Sequence, residues 1–368
     1  MAPSPHQPGG KTILGAVTTV AAVYVYFLVF AQFGFLKAVQ LGLGGGAGMV
    51  RPLMAVMGLA GVGGSVLAAW VFDERHARRW LATGLWIGAA GAAGSMGAQT
   101  PLEFHGVALL TGLGTGLATV TLAGMLRRAA GDRRLGLIIG AGTGLAYAFC
   151  NLPAVFAASA TTQAQLALLA VVAGLAGGRT LVPGVAVDPA AGGDYSRVGV
   201  AAWVLVFLLL VGLDSAAFYI IQHVPALKGG LWGGSGQLVL NAGVHLAAAL
   251  LAGWAFDRRR PGWVIFLGAA ALVSASLLIS GRVAASAAAL LYVTGVSFYS
   301  VALVFYPSRS GRPALAALVY AVAGWGGSAL GIGLAEGRTQ LSAAPVIGAG
   351  ALILLGLLFR NRAGRRVT

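Results

Sequence analysis

Charged residues are scarce in this chain. Asp, Glu, Lys and Arg together make up 9% of its 368 residues, whereas a soluble domain is nearer to about one quarter charged. Hydrophobic residues make up 58%, and the mean hydropathy is +0.87. This composition predicts an integral membrane protein. Because lipid offers no partner for a free backbone N–H or C=O group, we expect the long apolar runs to cross as helices and not as strands.

Cysteine and the common catalytic motifs are also lacking. The single cysteine, Cys150, lies inside an apolar run, which excludes an intramolecular disulfide and a cysteine-based metal cluster. The sequence contains no HExxH, GxSxG or Walker motif, so we expect neither an enzyme nor a cofactor. Three methionines lie close together in the sequence, and thioethers are good ligands for Cu(I). Their spacing is equally typical of helix packing, so we predict no metal site. The thioethers concerned belong to Met49, Met54 and Met57.

Acidic residues are few, and the 24 basic residues give a net charge of +15. No basic run stands apart from an apolar segment, which argues against nucleic acid as a partner. The arginines instead gather in alternate loops. By the positive-inside rule, those loops and both termini are predicted to be cytoplasmic. The arginine-rich stretches are 75–79, 127–134, 258–260, 309–312 and 360–366.

The apolar segments predict an all-α membrane protein with twelve helices, six in each half. The first apolar segment, beginning at Thr12, is too long for the core of a signal peptide. We expect an N-terminal bundle over 1–182, a polar cytoplasmic linker over 183–197 and a C-terminal bundle over 198–368. The predicted helices are 12–36, 47–72, 80–98, 105–126, 135–158, 162–182, 198–222, 232–256, 262–280, 284–306, 313–335 and 341–359.

An internal duplication supports the two-bundle arrangement. The stretch from Trp70 to Arg75 and the stretch from Trp254 to Arg259 each end an apolar run, and they lie 184 residues apart. Each places an Asp at the edge of the membrane and basic residues behind it. Glycines at 140–144 and 324–327 repeat at the same interval and predict a matched sliding contact between helices.

The second copy of this turn resembles the loop signature of the major facilitator superfamily, which is Gly, three residues, Asp and Arg. Gly253, Asp257 and Arg258 match it. The resemblance covers nearly the whole chain. It implies two pseudo-symmetric six-helix bundles that act as a secondary transporter by alternating access, in a bacterial-type cytoplasmic membrane. It also implies a monomer whose partners are the lipid bilayer and a small molecule or ion.

The first copy departs from the signature. It keeps Asp73, Arg78 and Arg79 but has Ala69 where the glycine belongs. A carboxylate at a helix end can pair with arginines or with a neighbouring helix N-terminus in one conformation and release them in another. Both copies are therefore predicted to be gating loops. The alternative is a solvated turn that only sets topology.

Polar side chains inside the bilayer are costly and normally face a cavity or a partner. Asp214 lies sixteen residues into the seventh predicted helix, and His245 and Asn241 on the eighth can reach a similar depth. We expect these three to form a cluster that carries protons or lines a substrate cavity. For Asp214 the alternative is a permanent bond to a neighbouring helix. Further candidates for the cavity lining are Gln32, Asn151, Tyr299 and Tyr306.

Two basic residues, Lys37 and Arg51, lie at the predicted outer helix ends, where they either attract an anion or anchor the helices. The first functional hypothesis is a secondary transporter of a small solute, proton-coupled through Asp214, with a polar cavity between the halves. The alternative is a transport-inactive membrane subunit or assembly factor that acts as a scaffold. A filled interface between the halves would favour the alternative.

Overall fold

The computed structural model describes residues 9–44, 47–181 and 195–365, which fold into helices joined by short turns. The fourteen helices within these ranges are numbered in chain order. They are α1 Gly10–Leu43, α2 Ala47–Val71, α3 Ala77–Ser95, α4 Pro101–Ala130, α5 Leu135–Cys150, α6 Pro153–Phe156, α7 Ala160–Thr180, α8 Arg197–His223, α9 Pro225–Trp232, α10 Ser235–Asp257, α11 Pro261–Gly281, α12 Ala285–Ser310, α13 Pro313–Ala335 and α14 Ala343–Arg365.

Nine of these helices are long and apolar enough to cross a membrane. They are α1, α2, α4, α7, α8, α10, α11, α12 and α13. Two shorter apolar helices, Leu135–Cys150 and Ala343–Phe359, accompany them. The prediction of an integral, all-helical membrane protein is confirmed for the described part of the chain. Most of the predicted linker lies outside the described residues; Ser196, at its end, caps α8 by accepting a hydrogen bond from the Gly199 N–H at 3.1 Å.

Helix boundaries differ from the prediction where capping residues or prolines act. Helix α4 begins four residues earlier than expected because Thr100 and Glu103 form a capping box, each side chain accepting the other residue's N–H. The fifth predicted helix, 135–158, stops at Cys150. Leu152 is extended with ψ 131°, as expected for a residue before proline, and Pro153 starts the single turn α6.

Glycines set the close helix contacts within the N-terminal half. A Cβ atom added at Gly114 on α4 would lie 2.5 Å from the backbone nitrogen of Gly88 on α3. Such contacts let two helix backbones approach until their main-chain atoms touch. Gly106, on the same helix, has no heavy atom within 4 Å of its added Cβ.

The two glycine patches match only in part. Gly142 packs against Val17 and Val20 of α1, and Gly327 packs against Leu208 and Val211 of α8, but Gly140 and Gly324 differ. Gly140 packs against α10, where an added Cβ would lie 2.3 Å from the carbonyl oxygen of Ala249. Gly324 on α13 meets only Tyr320 of its own helix, at 4.0 Å. Trp325 fills that crossing instead, and its indole packs against Gly61 of α2. At this crossing of α2 and α13, the helices therefore meet through the Trp325 side chain packed on Gly61, and not through their backbones.

The two α4 glycines give a matched test of this packing. Gly114→Ala is expected to lower stability by about 1–3 kcal/mol because the helix backbones must separate. Gly106→Ala is expected to leave it unchanged or raise it by up to about 1 kcal/mol through helix propensity. Thermal unfolding of purified protein in detergent, followed by tryptophan fluorescence, measures both. Equal midpoints for the two variants would contradict the backbone contact.

Candidate functional site

The carboxylate of Asp214 on α8 is held by two tyrosines of α12. Tyr292 donates its hydroxyl hydrogen to Oδ1, and Tyr299 donates to Oδ2. The two tyrosines lie seven residues apart, two helical turns, and so share one face of α12. Asp214 is half-buried and both of its oxygens are satisfied, which explains how a carboxyl group is tolerated at this depth.

Beside this pair, a second polar group joins the two halves of the chain. The Tyr147 hydroxyl on α5 shares a hydrogen bond of 2.9 Å with Ser300 on α12. Its ring stacks on the imidazole of His245, with centroids 4.6 Å apart and planes at 16°. The Nδ1 of His245 lies 2.8 Å from the Ser297 hydroxyl. Because Ser300 follows Tyr299, contacts between the halves lie next to the Asp214 site.

The expected cluster of Asp214, Asn241 and His245 is not formed by direct hydrogen bonds. Asn241 is buried, donates to the carbonyl oxygen of Leu231 at 3.1 Å and accepts from Gln237 at 2.8 Å. His245 bonds to serine, and Asp214 bonds to tyrosines. Each of the three predicted residues thus has its own partner, and Asn241 fastens α9 to α10.

The remaining lining candidates are distributed along the molecule. Asn151 is buried and donates to the carbonyl oxygen of Tyr147 at 2.9 Å, so it closes the end of its own helix. Gln32 is half-buried in a stretch of α1, Tyr26–Gly34, that has π-helical hydrogen bonding. Tyr306 lies about two helical turns beyond Tyr299 on α12, away from Asp214, and packs on Trp203 with ring centroids 5.0 Å apart. Only Tyr299 among them contacts Asp214.

Asp257 connects the halves at the end of the molecule that carries the arginine-rich turns, here called the arginine end. Its carboxylate accepts the backbone N–H of Gly136 at 2.7 Å and that of Leu137 at 3.0 Å, at the start of α5. The first N–H groups of a helix have no partner within it and carry its positive dipole end. Gly253 permits the approach, since its added Cβ would lie 2.3 Å from the Gly136 carbonyl oxygen.

The first copy of the loop behaves differently. Asp73 is exposed and bonds within its own turn, to Nδ1 of His76 at 2.6 Å and to the Arg75 N–H at 3.1 Å. These hydrogen bonds hold the pKa of the Asp73 carboxyl below its ordinary value. Arg78 donates to the carbonyl oxygen of Arg179 at 3.4 Å. Arg79 is exposed, and in the second copy Arg258 lies over the ring of Trp254 at 5.2 Å.

At the opposite end, an aromatic cluster closes the space between the halves. The N-terminal half contributes Phe33 and Phe156, and the C-terminal half contributes Phe218, Trp232 and Tyr292. Ring centroids are 5.4 Å apart for Phe33 and Phe218 and 6.2 Å apart for Phe156 and Trp232. Trp232 also contacts Phe218 at 5.6 Å and Tyr292 at 6.3 Å. Sequence reasoning missed this cluster and the role of Tyr292.

Two basic residues at this opposite end have structural partners. Arg51 of α2 forms an ion pair with Glu336, which follows α13 in the other half. Lys37 donates to the carbonyl oxygens of Phe156 at 3.2 Å and Ala158 at 2.9 Å. The anchoring interpretation of Lys37 therefore agrees with its contacts, and Arg51 adds a contact between the halves.

The interior is packed. Two small cavities of ≈ 10 Å³ each lie among the described residues, and neither is lined by Asp214 or His245. A cavity of that size holds about one water molecule. Neither of these two is the polar cavity that we expected between the halves, and the halves are in contact at both ends.

The fold has close counterparts among solved transporter structures. The proton:xylose symporter XylE, of the major facilitator superfamily, superimposes with a TM-score of 0.66 at 13% identity, covering 95% of each chain. A bacterial homologue of the iron transporter ferroportin, in an outward-facing state, gives 0.64 at 13% identity over 96% of this chain and 98% of that one. The human organic anion transporter MFSD10 gives 0.64 at 15% identity over 95% and 99%.

These likenesses show that the chain has the fold of major facilitator superfamily transporters, as the sequence predicted. No protein-family model and no curated protein sequence matches the chain.

The contact made by Asp257 can be tested against that of Asp73. Asp257→Ala removes two charge-assisted hydrogen bonds across the halves. Such bonds contribute about 1.5–3 kcal/mol each when buried, and less where water screens the charge. We expect the variant to raise about tenfold or more the ratio of molecules whose halves are separated at the arginine end to molecules whose halves are in contact there. Spin labels on Arg134→Cys and Arg260→Cys, with Cys150→Ser, measure the separation. Asp73→Ala is the comparison: because Asp73 bonds only its own turn in this conformation, its loss should not raise the separated fraction.

Proposed function

We propose that this protein is a secondary transporter of a small solute that works by alternating access. The fold supports this proposal, because the three solved proteins named above are described as a sugar symporter, an iron transporter homologue and an organic anion transporter. Their substrates differ, so none of them is carried over to this chain. What they share is movement of a solute across a membrane.

The proposed architecture has twelve membrane helices in two six-helix bundles. Nine of the twelve are the long apolar helices of the described ranges. The other three are α3, α5 together with its short extension α6, and α14. The arginine end is proposed to be cytoplasmic by the positive-inside rule, with both termini on that side. We place the protein as a monomer in a bacterial-type cytoplasmic membrane.

The observation that carries the proposal is that the halves meet at both ends through ionic, polar and aromatic contacts. Opening toward the cytoplasm would separate Asp257 from the start of α5. Opening outward would separate Arg51 from Glu336 and part the aromatic cluster. The described conformation then corresponds to an occluded intermediate, in which neither side has access to the centre.

Asp214 is the proposed coupling residue. As a carboxylate it accepts from Tyr292 and Tyr299; when protonated, one of its oxygens becomes a donor and the two tyrosine bonds cannot both persist unchanged. Tyr299 is adjacent to Ser300, which bonds Tyr147 of the other half. Proton loading would therefore alter the contact between the halves. Asp73 and Asp257 remain the proposed gating residues, with Asp73 acting in another conformation.

A second candidate function is a scaffold that has lost transport. The contacts that join the halves at both ends support it, and Asp214 lines neither of the two small cavities described above. A permanent filled interface and an occluded intermediate look alike in one conformation. Only the ability to open distinguishes them.

Proton coupling is tested by solute flux in proteoliposomes under an imposed pH gradient. Asp214→Asn is expected to abolish gradient-driven flux, because the amide cannot take up and release a proton. Glu103→Gln also removes a carboxylate but preserves the capping box of α4, so it should transport normally. Full gradient-driven flux in Asp214→Asn would exclude coupling through this residue.

Opening is tested by thiol labelling at the interface. Ser300→Cys, with Cys150→Ser, is buried between the halves here and should react with a small reagent during turnover. Asp257→Ala should speed the reaction severalfold by favouring an open arginine end. Ser65→Cys, buried within the N-terminal half, is the control and should stay unreactive. Protection of Ser300→Cys under all conditions would favour the scaffold.

A further inference from the structure

The Asp214 carboxylate has no cationic partner among the described residues. Its hydrogen-bond partners are neutral hydroxyl groups. Every other acidic side chain in the described ranges lies at a helix end or in a turn. Among the nearest basic residues along the chain, Arg197 and His223 lie at the ends of α8, and Lys228 lies within α9, one turn before Trp232. The other acidic residues are Asp73, Glu74, Glu103, Asp132, Asp257 and Glu336. The interior thus holds one acid that lacks a balancing positive charge.

Aromatic rings border this acid on the side opposite the arginine end. Tyr292 bonds the carboxylate and packs edge-on to Trp232, with centroids 6.3 Å apart. Phe218 lies one helical turn beyond Asp214 on α8 and contacts Trp232 at 5.6 Å. Phe218, Trp232 and Tyr292, with Asp214 at their base, are called the aromatic box.

We propose that the substrate of this site is a small organic cation with an apolar body, such as an alkylammonium ion. The inference rests on the proposed transport function and names its substrate class. Ring faces attract a cation through their quadrupole, and an adjacent carboxylate supplies the opposite charge. Loss of water strengthens both interactions inside the protein.

Other solute classes fit the box less well. An anion would be repelled by the carboxylate. A neutral sugar needs several free donors and acceptors, whereas the carboxylate and the hydroxyls of Tyr292 and Tyr299 are already bonded to one another. The neighbouring polar groups are also paired, Tyr147 with Ser300 and His245 with Ser297. A bare metal ion needs several oxygen, nitrogen or sulfur ligands, and no group of three such residues was found in the described part of the chain.

Access to the box depends on α9, which carries Trp232. Two glycines follow this ring, and Gly234 has φ +88°, a backbone conformation that other residues rarely adopt. Asn241 holds the preceding residue, Leu231, through its carbonyl oxygen. The short helix also buries Leu227, Leu231 and Trp232. Entry of a ligand would therefore require the Trp232 ring to part from Phe218 and Tyr292, a movement that the two glycines after the ring would permit.

The test is calorimetric titration of the whole purified protein in detergent with choline and with its uncharged carbon isostere, dimethylbutanol. Choline is expected to bind at least about tenfold more tightly, since only it gains the charge interactions. Asp214→Asn should weaken choline binding about tenfold or more. Trp232→Leu should weaken it about tenfold, whereas Trp232→Phe, which keeps a ring, should stay within about threefold.

The control is Trp86→Leu, because Trp86 is 60% exposed on the outside of α3 and should not affect binding. Equal affinity for choline and the isostere, or unchanged choline binding in Asp214→Asn, would overturn the cation assignment. Binding of xylose with no binding of choline would overturn it in favour of a neutral solute. Unfolding midpoints confirm that each variant is folded, and Trp232→Phe separates ring chemistry from a general packing loss.

Failure of this inference is distinguishable from failure of transport. Choline binding without flux of any solute, and with Ser300→Cys always protected, would leave the cation site standing and overturn the transporter. Gradient-driven flux of a neutral solute without choline binding would leave the transporter standing and overturn the cation class.

Discussion

The peptide N–H groups at the start of α5 lack partners within their own helix, and the carboxylate of Asp257 satisfies two of them from the other half of the chain. That contact fixes where α5 and α10 meet, and Gly136 and Gly253 let their backbones touch there. About three turns further along α5 comes Tyr147, whose stacking on His245 depends on the same crossing. From Tyr147 the polar contacts continue to Ser300 and so to the neighbours of Asp214.

The duplicated loops show how two copies of one pattern acquire different roles. In the second copy a glycine precedes the Asp by one turn, and the facing helix offers free N–H groups. In the first copy Ala69 stands at the glycine position, and the facing helix α13 begins with Pro313. Phe72 and Pro313 both lie against Gly124, so the ends are near one another. Asp73 nevertheless bonds its own turn, through His76 and the Arg75 N–H.

Sequence reasoning located the membrane spans, the duplicated turns and Asp214, because each of them can be recognised from local hydropathy or from residue spacing. It failed where partners are chosen between distant segments. Tyr292 lies 78 residues from Asp214, and their pairing depends on how α8 and α12 are rotated about their axes. Asn241 was expected near Asp214, but α9 was not predicted as a helix, and its Leu231 carbonyl takes the Asn241 amide. The aromatic cluster was missed for the same reason, since its rings come from five separate segments.

The strength of the contacts between the halves bears on whether the molecule can open. Arg51 and Glu336 form an ion pair in which Arg51 is 67% exposed, and such pairs contribute little. A neutral hydrogen bond such as that of Tyr147 with Ser300 is worth about 1 kcal/mol, and an aromatic pair about 0.5–1.5 kcal/mol. Separating the halves at one end therefore costs the free energy of a few such contacts, which is within the range over which ligands shift conformational populations. Backbone contact occurs both within a half and between the halves: α3 and α4 touch at Gly88 and Gly114, and α5 and α10 touch across the halves at Gly136 and Gly253. The side-chain contacts at the two ends can break one by one, whereas the glycine crossing of α5 and α10 has to part as a unit if the arginine end opens.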